Sequence, residues 1–186
     1  MKSAIILIDI QNDYFECGKN ELYLPKQAVV YAKQALDFYR MNGLAVYHVQ
    51  HISIQQGATF FLPNSTGAEI HQSVLPKAGE KVFVKHTPNA FLKTGLSEEL
   101  LQNNIHHIVI CGMMSHMCID TTVRAAHDLG FLVTVLEDAC TTKDLLWHGT
   151  AIPAQIVHNT FMASLNGVFA QVMQTDKFLE IVDLIL

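Results

Sequence analysis

The sequence lacks the features that mark membrane proteins and nucleic-acid-binding proteins. No apolar run approaches the roughly 20 residues needed to cross a bilayer, and residues 1–10 show no signal-peptide cleavage pattern. Lysine and arginine total 12 against 17 acidic residues, which gives a net charge of −5, and they form no basic run. We therefore expect no membrane partner and no nucleic-acid partner.

Cysteine is also scarce, and its spacing is uninformative for disulfides. The chain contains no CxxC pair and no framework-like spacing among its four cysteines, Cys17, Cys111, Cys118 and Cys140. We expect free thiols and a reducing, cytoplasmic setting. Apolar residues, in contrast, make up 50% of the 186 residues and charged residues only 16%. This composition is enough for one domain with a sizeable core.

Apolar runs typical of strands alternate along the chain with segments of helical spacing. Strands are predicted at 4–10, 44–49, 81–85, 105–111, 131–137 and 168–173. Helices are predicted at 26–41, 97–102, 118–129, 153–165 and 176–186. Residues 51–79 and 138–147 lack either pattern and are predicted as loops. The alternation predicts a single α/β domain over residues 1–186, with a mostly parallel six-stranded sheet and helices on both faces.

The segment 107–126 contains the strongest chemical signal. An apolar strand ends at Gly112, a short link follows, and helical spacing begins near Cys118. A thiol at a helix start lies near unpaired backbone N–H groups and the positive end of the helix dipole, and both favour the reactive thiolate. We therefore predict that Cys118 is a nucleophile, although a lone cysteine at such a position is more often a buried structural residue.

Two further strand ends supply partners for this thiol. Asp9 ends the first predicted strand and Lys85 ends the third. Ligands bind outside the carboxyl ends of strands in parallel sheets, so these residues are expected at the same edge as Cys118. Asp9 could accept the thiol proton, and Lys85 could stabilise the thiolate. Backbone N–H groups of the 112–115 link and the helix start could form an oxyanion hole.

Three separated motifs now support a family resemblance that spans nearly the whole chain. They are IDIQNDYF at 8–15, VKH at 84–86 with Phe91, and CGMMSHMC at 111–118. Together they resemble the isochorismatase-like cysteine hydrolases, a family with a Rossmann-like fold that includes nicotinamidases, carbamoylsarcosine amidohydrolases and streptothricin hydrolase. Within this family, residues 58–63 and 112–118 look closest to the streptothricin-hydrolase-like branch.

The resemblance implies a catalytic triad of Asp9, Lys85 and Cys118. In such enzymes the thiolate attacks an amide carbonyl, ammonia or an amine leaves, and water hydrolyses the thioester. The resemblance also implies a non-proline cis peptide between Met113 and Met114. That turn would aim the N–H of Met114, together with the N–H of Cys118, at the oxyanion.

The chain departs from the metal-binding members of this family after the second strand. Nicotinamidases resembling it usually bind a metal there through an aspartate and two histidines. Here the region contains His48 and His51 but no aspartate, and their odd spacing on a strand points them to opposite faces. We therefore predict no metal and no cofactor, with His51 either lining the site or supporting its neighbours.

Other residues are candidates for the substrate pocket. Phe15, Phe61 and Phe91 could form an apolar wall, and Gln11 and His116 could make polar contacts to the substrate. Packing in the core is an equally good explanation of each aromatic ring.

The predicted function is that of a metal-independent cysteine hydrolase acting on the C–N bond of a small amide. One alternative is isochorismate-type vinyl-ether hydrolysis with Cys118 as a bystander, and another is a non-catalytic small-molecule-binding module. The apolar end of the last helix, at 181–186, together with the resemblance, predicts a homodimer or homotetramer.

Overall fold

The computed structural model describes residues 2–183, which form one main sheet flanked by helices and a small separate hairpin. The strands are β1 (Ser3–Ile8), β2 (Ala45–His51), β3 (Lys81–Lys85), β4 (His107–Met113), β5 (Leu132–Thr141), β6 (Leu145–Trp147), β7 (Thr150–Ile152) and β8 (Gln171–Met173). The helices are α1 (Pro25–Met41), α2 (Leu96–Gln102), α3 (Asp120–Asp128), α4 (Ala154–Leu165) and α5 (Thr175–Asp183). A π-helical turn, Ser115–Ile119, runs directly into α3.

The main sheet has the strand order β3-β2-β1-β4-β5-β8, and every pair in it is parallel. The predicted single-domain α/β fold with a six-stranded parallel sheet is therefore confirmed. The central position of β1 follows from its composition, because Ala4–Ile8 is apolar on both faces and at most 2% exposed. Long α1 packs its own apolar stripe, Ala32, Leu36 and Tyr39, into the same core.

Strand β5 and the segment after it differ from the predicted boundaries. The predicted strand 131–137 extends instead to Thr141, because Cys140 and Thr141 pair with Gly112 and Met113 beyond an irregularity in the register. The segment predicted as a loop at 138–147 also contributes β6, which forms an antiparallel hairpin with β7. These pairings depend on tertiary contacts and on a turn at His148 and Gly149, both of which have positive φ.

The last elements agree in type with the prediction. The predicted strand 168–173 contains only the three residues of β8, and the predicted helix 176–186 corresponds to α5. Residues 184–186 of the apolar terminus, for which a subunit contact was predicted, lie outside the described residues. Among the described helices, none combines the length and the apolar character needed to cross a membrane. All four cysteines are free, as the sequence predicted.

Candidate active site at the carboxyl ends of the strands

The structure brings Asp9, Lys85 and Cys118 together at the carboxyl edge of the sheet. Asp9 directly follows β1, Lys85 ends β3, and Cys118 lies in the π-helical turn after β4. Lys85 Nζ is 2.8 Å from Asp9 Oδ2 and 3.1 Å from Cys118 Sγ. The three residues are 0%, 1% and 5% exposed, so water does little to screen their charges.

The backbone around these residues is shaped to bring the strand ends close together. Gly112 has φ 130°, and a Cβ at this position would collide with the carbonyl oxygen of Ile8, so only glycine allows β4 to approach β1 here. Asp9 has φ 52°, an uncommon conformation for a residue other than glycine. Its N–H donates to the carbonyl of Val49, 3.0 Å away, which fixes the exit of β1.

The turn that presents Cys118 begins earlier than the sequence predicted. Helical spacing predicts a start near Cys118, whereas the π-helical turn starts at Ser115 and places Cys118 inside the first turn of the combined helix. The N–H of Ile119 donates to the carbonyl of Met114, which is the wide bond of a π-helix. Local spacing could not reveal this start, because the turn is fixed by contacts with distant residues.

Those contacts come from α4 and from the end of β5. Ser115 Oγ is 2.8 Å from His158 Nδ1, and His116 Nδ1 is 2.5 Å from Thr142 Oγ1. His116 was predicted to contact the substrate, and one of its ring nitrogens instead bonds Thr142. The turn is therefore anchored at two residues that precede the nucleophile.

The peptide bond between Met113 and Met114 is cis. Met114 leads directly into the turn that carries the buried thiol. A backbone N–H in such a turn is suited to binding a developing oxyanion. The N–H of Cys118 lies in the same first helical turn.

The surroundings of Cys118 oppose a resting thiolate. Burial and the neighbouring Asp9 carboxylate raise the pKa of Cys118, and the Lys85 ammonium opposes this only in part. This direction is opposite to the one expected from the helix start alone. A thiolate beside an ionised carboxylate would leave two buried negative charges against one ammonium. Moving the proton from Cys118 to Asp9 keeps the net charge of the triad at zero, so transfer within the triad is the low-cost activation route.

Asp9 is arranged to accept that proton. Lys85 Nζ lies close to Oδ2, but among the described residues neither carboxylate oxygen of Asp9 receives a well-directed hydrogen bond. Buried carboxylates with structural roles usually accept several such bonds. Lone pairs that remain free can take a proton from a neighbouring thiol.

Lys85 is the cation at the centre of the site. Burial alone would lower the pKa of Lys85, but its contacts with Asp9 and Cys118 outweigh burial and raise it. Its Nζ is also 3.0 Å from His51 Nδ1 and 3.1 Å from the carbonyl oxygen of Thr87. The ammonium therefore has four acceptors within 3.1 Å.

The same geometry bears on metal binding. Asp9, His51 and Cys118 each offer a metal-ligand atom, and these atoms lie within 4.8 Å of one another. The ammonium of Lys85 contacts all three residues, so a lysine already supplies the positive charge that these ligand atoms surround. His48 bonds Glu80 instead, and the two histidines of β2 thus belong to separate clusters, as their spacing predicted.

Gln11, predicted to contact the substrate, has a different role. It is 0% exposed, and its side-chain amide bonds the backbone of two other segments. Its Oε1 accepts from the N–H of His51 at 2.7 Å, while its Nε2 donates to the carbonyls of His51 at 2.9 Å and Ala68 at 2.7 Å. Gln11 therefore clamps the end of β2 to the long loop after it.

The three candidate pocket aromatics lie in different places. Phe61 is nearest the site, with its ring 5.9 Å from the ring of His51. Phe15 stacks on His71 at 3.8 Å, and Phe91 stacks on Phe131 at 5.8 Å, so both are packing residues in this arrangement.

Sequence reasoning missed the residues that hold Phe61 in place. The Asp13 carboxylate accepts a 2.6 Å hydrogen bond from the N–H of Phe61, and the ring of Tyr14 packs edge-on against Phe61 at 4.6 Å. Burial and the neighbouring Asp9 carboxylate raise the pKa of Tyr14, which lies beside the site. Both residues belong to the motif at 8–15, which was the available signal.

Comparisons with known proteins identify a family. Residues 3–177 match the family model described as the isochorismatase domain. The chain is 48% identical to the uncharacterized isochorismatase family protein YddQ of Bacillus subtilis, over 97% of this chain and 100% of that protein. A crystal structure titled as a putative isochorismatase hydrolase from Oleispira antarctica is 42% identical and superposes with a TM-score of 0.92 over 96% of both chains.

Two more distant relatives have names that describe a reaction. The chain is 28% identical to a streptothricin hydrolase of Streptomyces noursei, over 76% of this chain and 50% of that protein. It is 27% identical to a nicotinamidase of Escherichia coli, over 74% of this chain and 82% of that protein.

Proposed function

The chain belongs to the isochorismatase family of hydrolases, and we propose that it hydrolyses the C–N bond of a small amide through a thioester on Cys118. The observation that carries this proposal is the buried contact of Lys85 Nζ with Asp9 Oδ2 at 2.8 Å and with Cys118 Sγ at 3.1 Å. A thiol with a base and a cation is needed for acyl transfer, whereas cleavage of a vinyl ether requires no nucleophilic thiol. The relatives named nicotinamidase and streptothricin hydrolase support an amide as the substrate.

In the proposed mechanism, Asp9 takes the proton of Cys118 and the thiolate attacks the amide carbonyl carbon. The N–H groups of Met114 and Cys118 bind the oxyanion, and Lys85 balances the negative charge that remains within the triad. The tetrahedral intermediate collapses as Asp9 returns the proton to the leaving nitrogen, so an amine or ammonia departs. Asp9 then takes a proton from water, hydroxide attacks the thioester, and the proton returns to sulfur as the acid leaves.

The site requires no metal in this proposal, because Lys85 supplies the positive charge. Its near-complete burial favours a small substrate, which Phe61 and His51 would border. We further propose a cytoplasmic homodimer or homotetramer that binds neither nucleic acid nor membranes; light scattering of the purified protein tests the oligomeric part.

The direct test is ammonia release from a panel of small amides. We expect release by the parent protein, loss of at least about 10³-fold in Cys118→Ala, and little change in Cys17→Ala, a matched control at an exposed thiol. Hydrolysis that survives Cys118→Ala would overturn the nucleophile assignment and favour ether cleavage. Activity that disappears with a chelator and returns with zinc or iron would overturn the metal-free assignment.

A further inference from the structure

His51 is the member of the cluster around Lys85 with no role in the mechanism above. It ends β2, and its Nδ1 lies 3.0 Å from Lys85 Nζ. Its side chain is only partly buried, whereas Asp9, Lys85 and Cys118 are nearly sealed from solvent.

The contact fixes the protonation state of this histidine. An ammonium group can only donate, so Nδ1 of His51 must carry a lone pair and the ring proton must lie on Nε2. Burial and the positive charge of Lys85 lower the pKa of His51 to about 4, because a protonated ring would place two cations side by side. His51 is therefore a neutral acceptor facing a buried cation.

The protein backbone is built to hold the ring in this position. Gln11 bonds both the N–H and the carbonyl of His51, and the same amide reaches the carbonyl of Ala68. The ring of Phe61, itself held by Asp13, lies against the ring of His51. A histidine with a fixed backbone and an aromatic neighbour beside its ring is suited to positioning a neighbour.

The count of donors and acceptors shows what a fixed acceptor can do for that neighbour. Lys85 has three N–H protons for four acceptors within 3.1 Å and is 1% exposed, so protein groups alone decide where those protons point. One proton directed at His51 and one at the carbonyl of Thr87 leave one proton that Asp9 and Cys118 share.

We propose that His51 is a positioning residue that holds the ammonium of Lys85 between Asp9 and Cys118, and so sets how readily Cys118 becomes a thiolate. It acts through Lys85 and does not need to touch the substrate. The inference rests on the proposed function in taking Cys118 as the reacting group.

The test measures the rate at which iodoacetamide alkylates Cys118 between pH 6 and 9, by mass spectrometry of the Cys118 peptide in a Cys17→Ser background. We expect His51→Ala to slow alkylation about 10- to 100-fold, the effect of losing one hydrogen bond to a buried charge. His51→Asn, whose Oδ1 can replace Nδ1 as the acceptor, should stay within about threefold of the parent. His51→Gln places its amide at the position of Nε2 and should be slowed like His51→Ala.

His86→Ala is the matched control. His86 neighbours Lys85 on the same strand end, but it is exposed and its Nδ1 lies 2.7 Å from the carbonyl oxygen of Ile52. This variant should alkylate at the parent rate, and a slowing equal to that of His51→Ala would overturn the inference.

Three further results would overturn the proposal. One is parent-rate alkylation in His51→Ala, and another is rescue by Gln but not by Asn, which would assign the role to Nε2. If His51→Ala does not fold, the Asn and Gln variants still decide the question, and equal rates in these two would contradict it. Because alkylation uses no amide substrate, failure of the proposed hydrolysis and failure of this inference are distinguishable.

Discussion

Two clusters of a carboxylate, a cation and a histidine lie at opposite edges of the same sheet. At the carboxyl edge, Lys85 contacts both Asp9 and His51. At the amino edge, Glu80, which directly precedes β3, meets Arg40 and His48. The residue types are nearly the same, but the two carboxylates differ in how many hydrogen bonds they accept.

Glu80 is saturated with donors. Its carboxylate accepts bonds from Arg40 Nε at 2.7 Å, from Arg40 Nη2 at 2.8 Å, from the N–H of Lys77 at 2.9 Å, and lies 3.0 Å from His48 Nε2. Burial alone would raise the pKa of Glu80, but these bonds lower it to about 2. Asp9 has one close ammonium and no well-directed donor among the described residues. With its oxygens saturated, Glu80 serves as a structural anchor. With lone pairs free, Asp9 can serve as a base.

Among the substitutions that test this comparison, Asp9→Asn should have the largest effect on activity. The amide cannot accept the thiol proton, so kcat/KM for amide hydrolysis should fall about 10²- to 10⁴-fold. Lys85 would also lose its buried counter-charge, at a cost of about 3–5 kcal/mol in the free energy of unfolding. Steady-state kinetics and urea unfolding measure the two effects, and retention of more than a tenth of the activity would contradict the base assignment.

Glu80→Gln is the matched change at the amino edge and should affect stability alone. Arg40 would lose a bidentate charged partner that is 13% exposed, at a cost of about 2–3 kcal/mol in the free energy of unfolding. Activity per folded molecule should remain within about twofold of the parent. A large loss of kcat/KM in this folded variant would show that the two edges are not separable.

The two clusters should lose their contributions to the free energy of unfolding in different pH ranges. Unfolded His51 binds a proton below about pH 6.5, whereas folded His51 binds one only near its pKa of about 4, so stability falls as the pH drops through that window. The lowered pKa of Glu80 places its own loss between about pH 4.5 and 2. Each slope is at most about 1.4 kcal/mol per pH unit before solvent screening reduces it.

Urea unfolding of the parent, His51→Asn and Glu80→Gln at several pH values measures these windows. The parent should lose its advantage over His51→Asn between pH 6.5 and 4, and its advantage over Glu80→Gln below pH 4.5. Parallel curves for all three proteins would show that neither group titrates as its surroundings suggest.

Lys81→Met should have the smallest effect and tests whether position on β3 matters more than residue type. Lys81 begins β3 and Lys85 ends it, but the side chain of Lys81 is 59% exposed and pairs with Glu99 on the surface. We expect the Tm to change by less than about 2 °C and the activity not to change, because exposed pairs contribute little. A loss of activity comparable to that of Asp9→Asn would contradict the expectation that Lys81 takes no part in the site.

The sequence was sufficient to predict the fold and the three strand-end residues, because strand periodicity and the carboxyl-edge rule are local patterns. It could not predict how Asp9 and Glu80 differ, since their partners are distant in sequence: Arg40 is 40 positions from Glu80, and Lys85 is farther still from Asp9. It placed Gln11 at the substrate, whereas the amide bonds the backbone of His51 and Ala68. It also expected the helix start to favour a thiolate at Cys118, whereas burial and the Asp9 carboxylate raise the pKa of this thiol.

The most direct test of the central claim is capture of the acyl group on Cys118. Hydroxylamine, added during turnover of an amide that the panel identifies, attacks thioesters and releases a hydroxamate. The account predicts hydroxamate with the parent protein, an acyl-sized mass increase on the Cys118 peptide after an acid quench, and neither in Cys118→Ala. Turnover that yields no hydroxamate and no adduct, and that continues in Cys118→Ala, would contradict it.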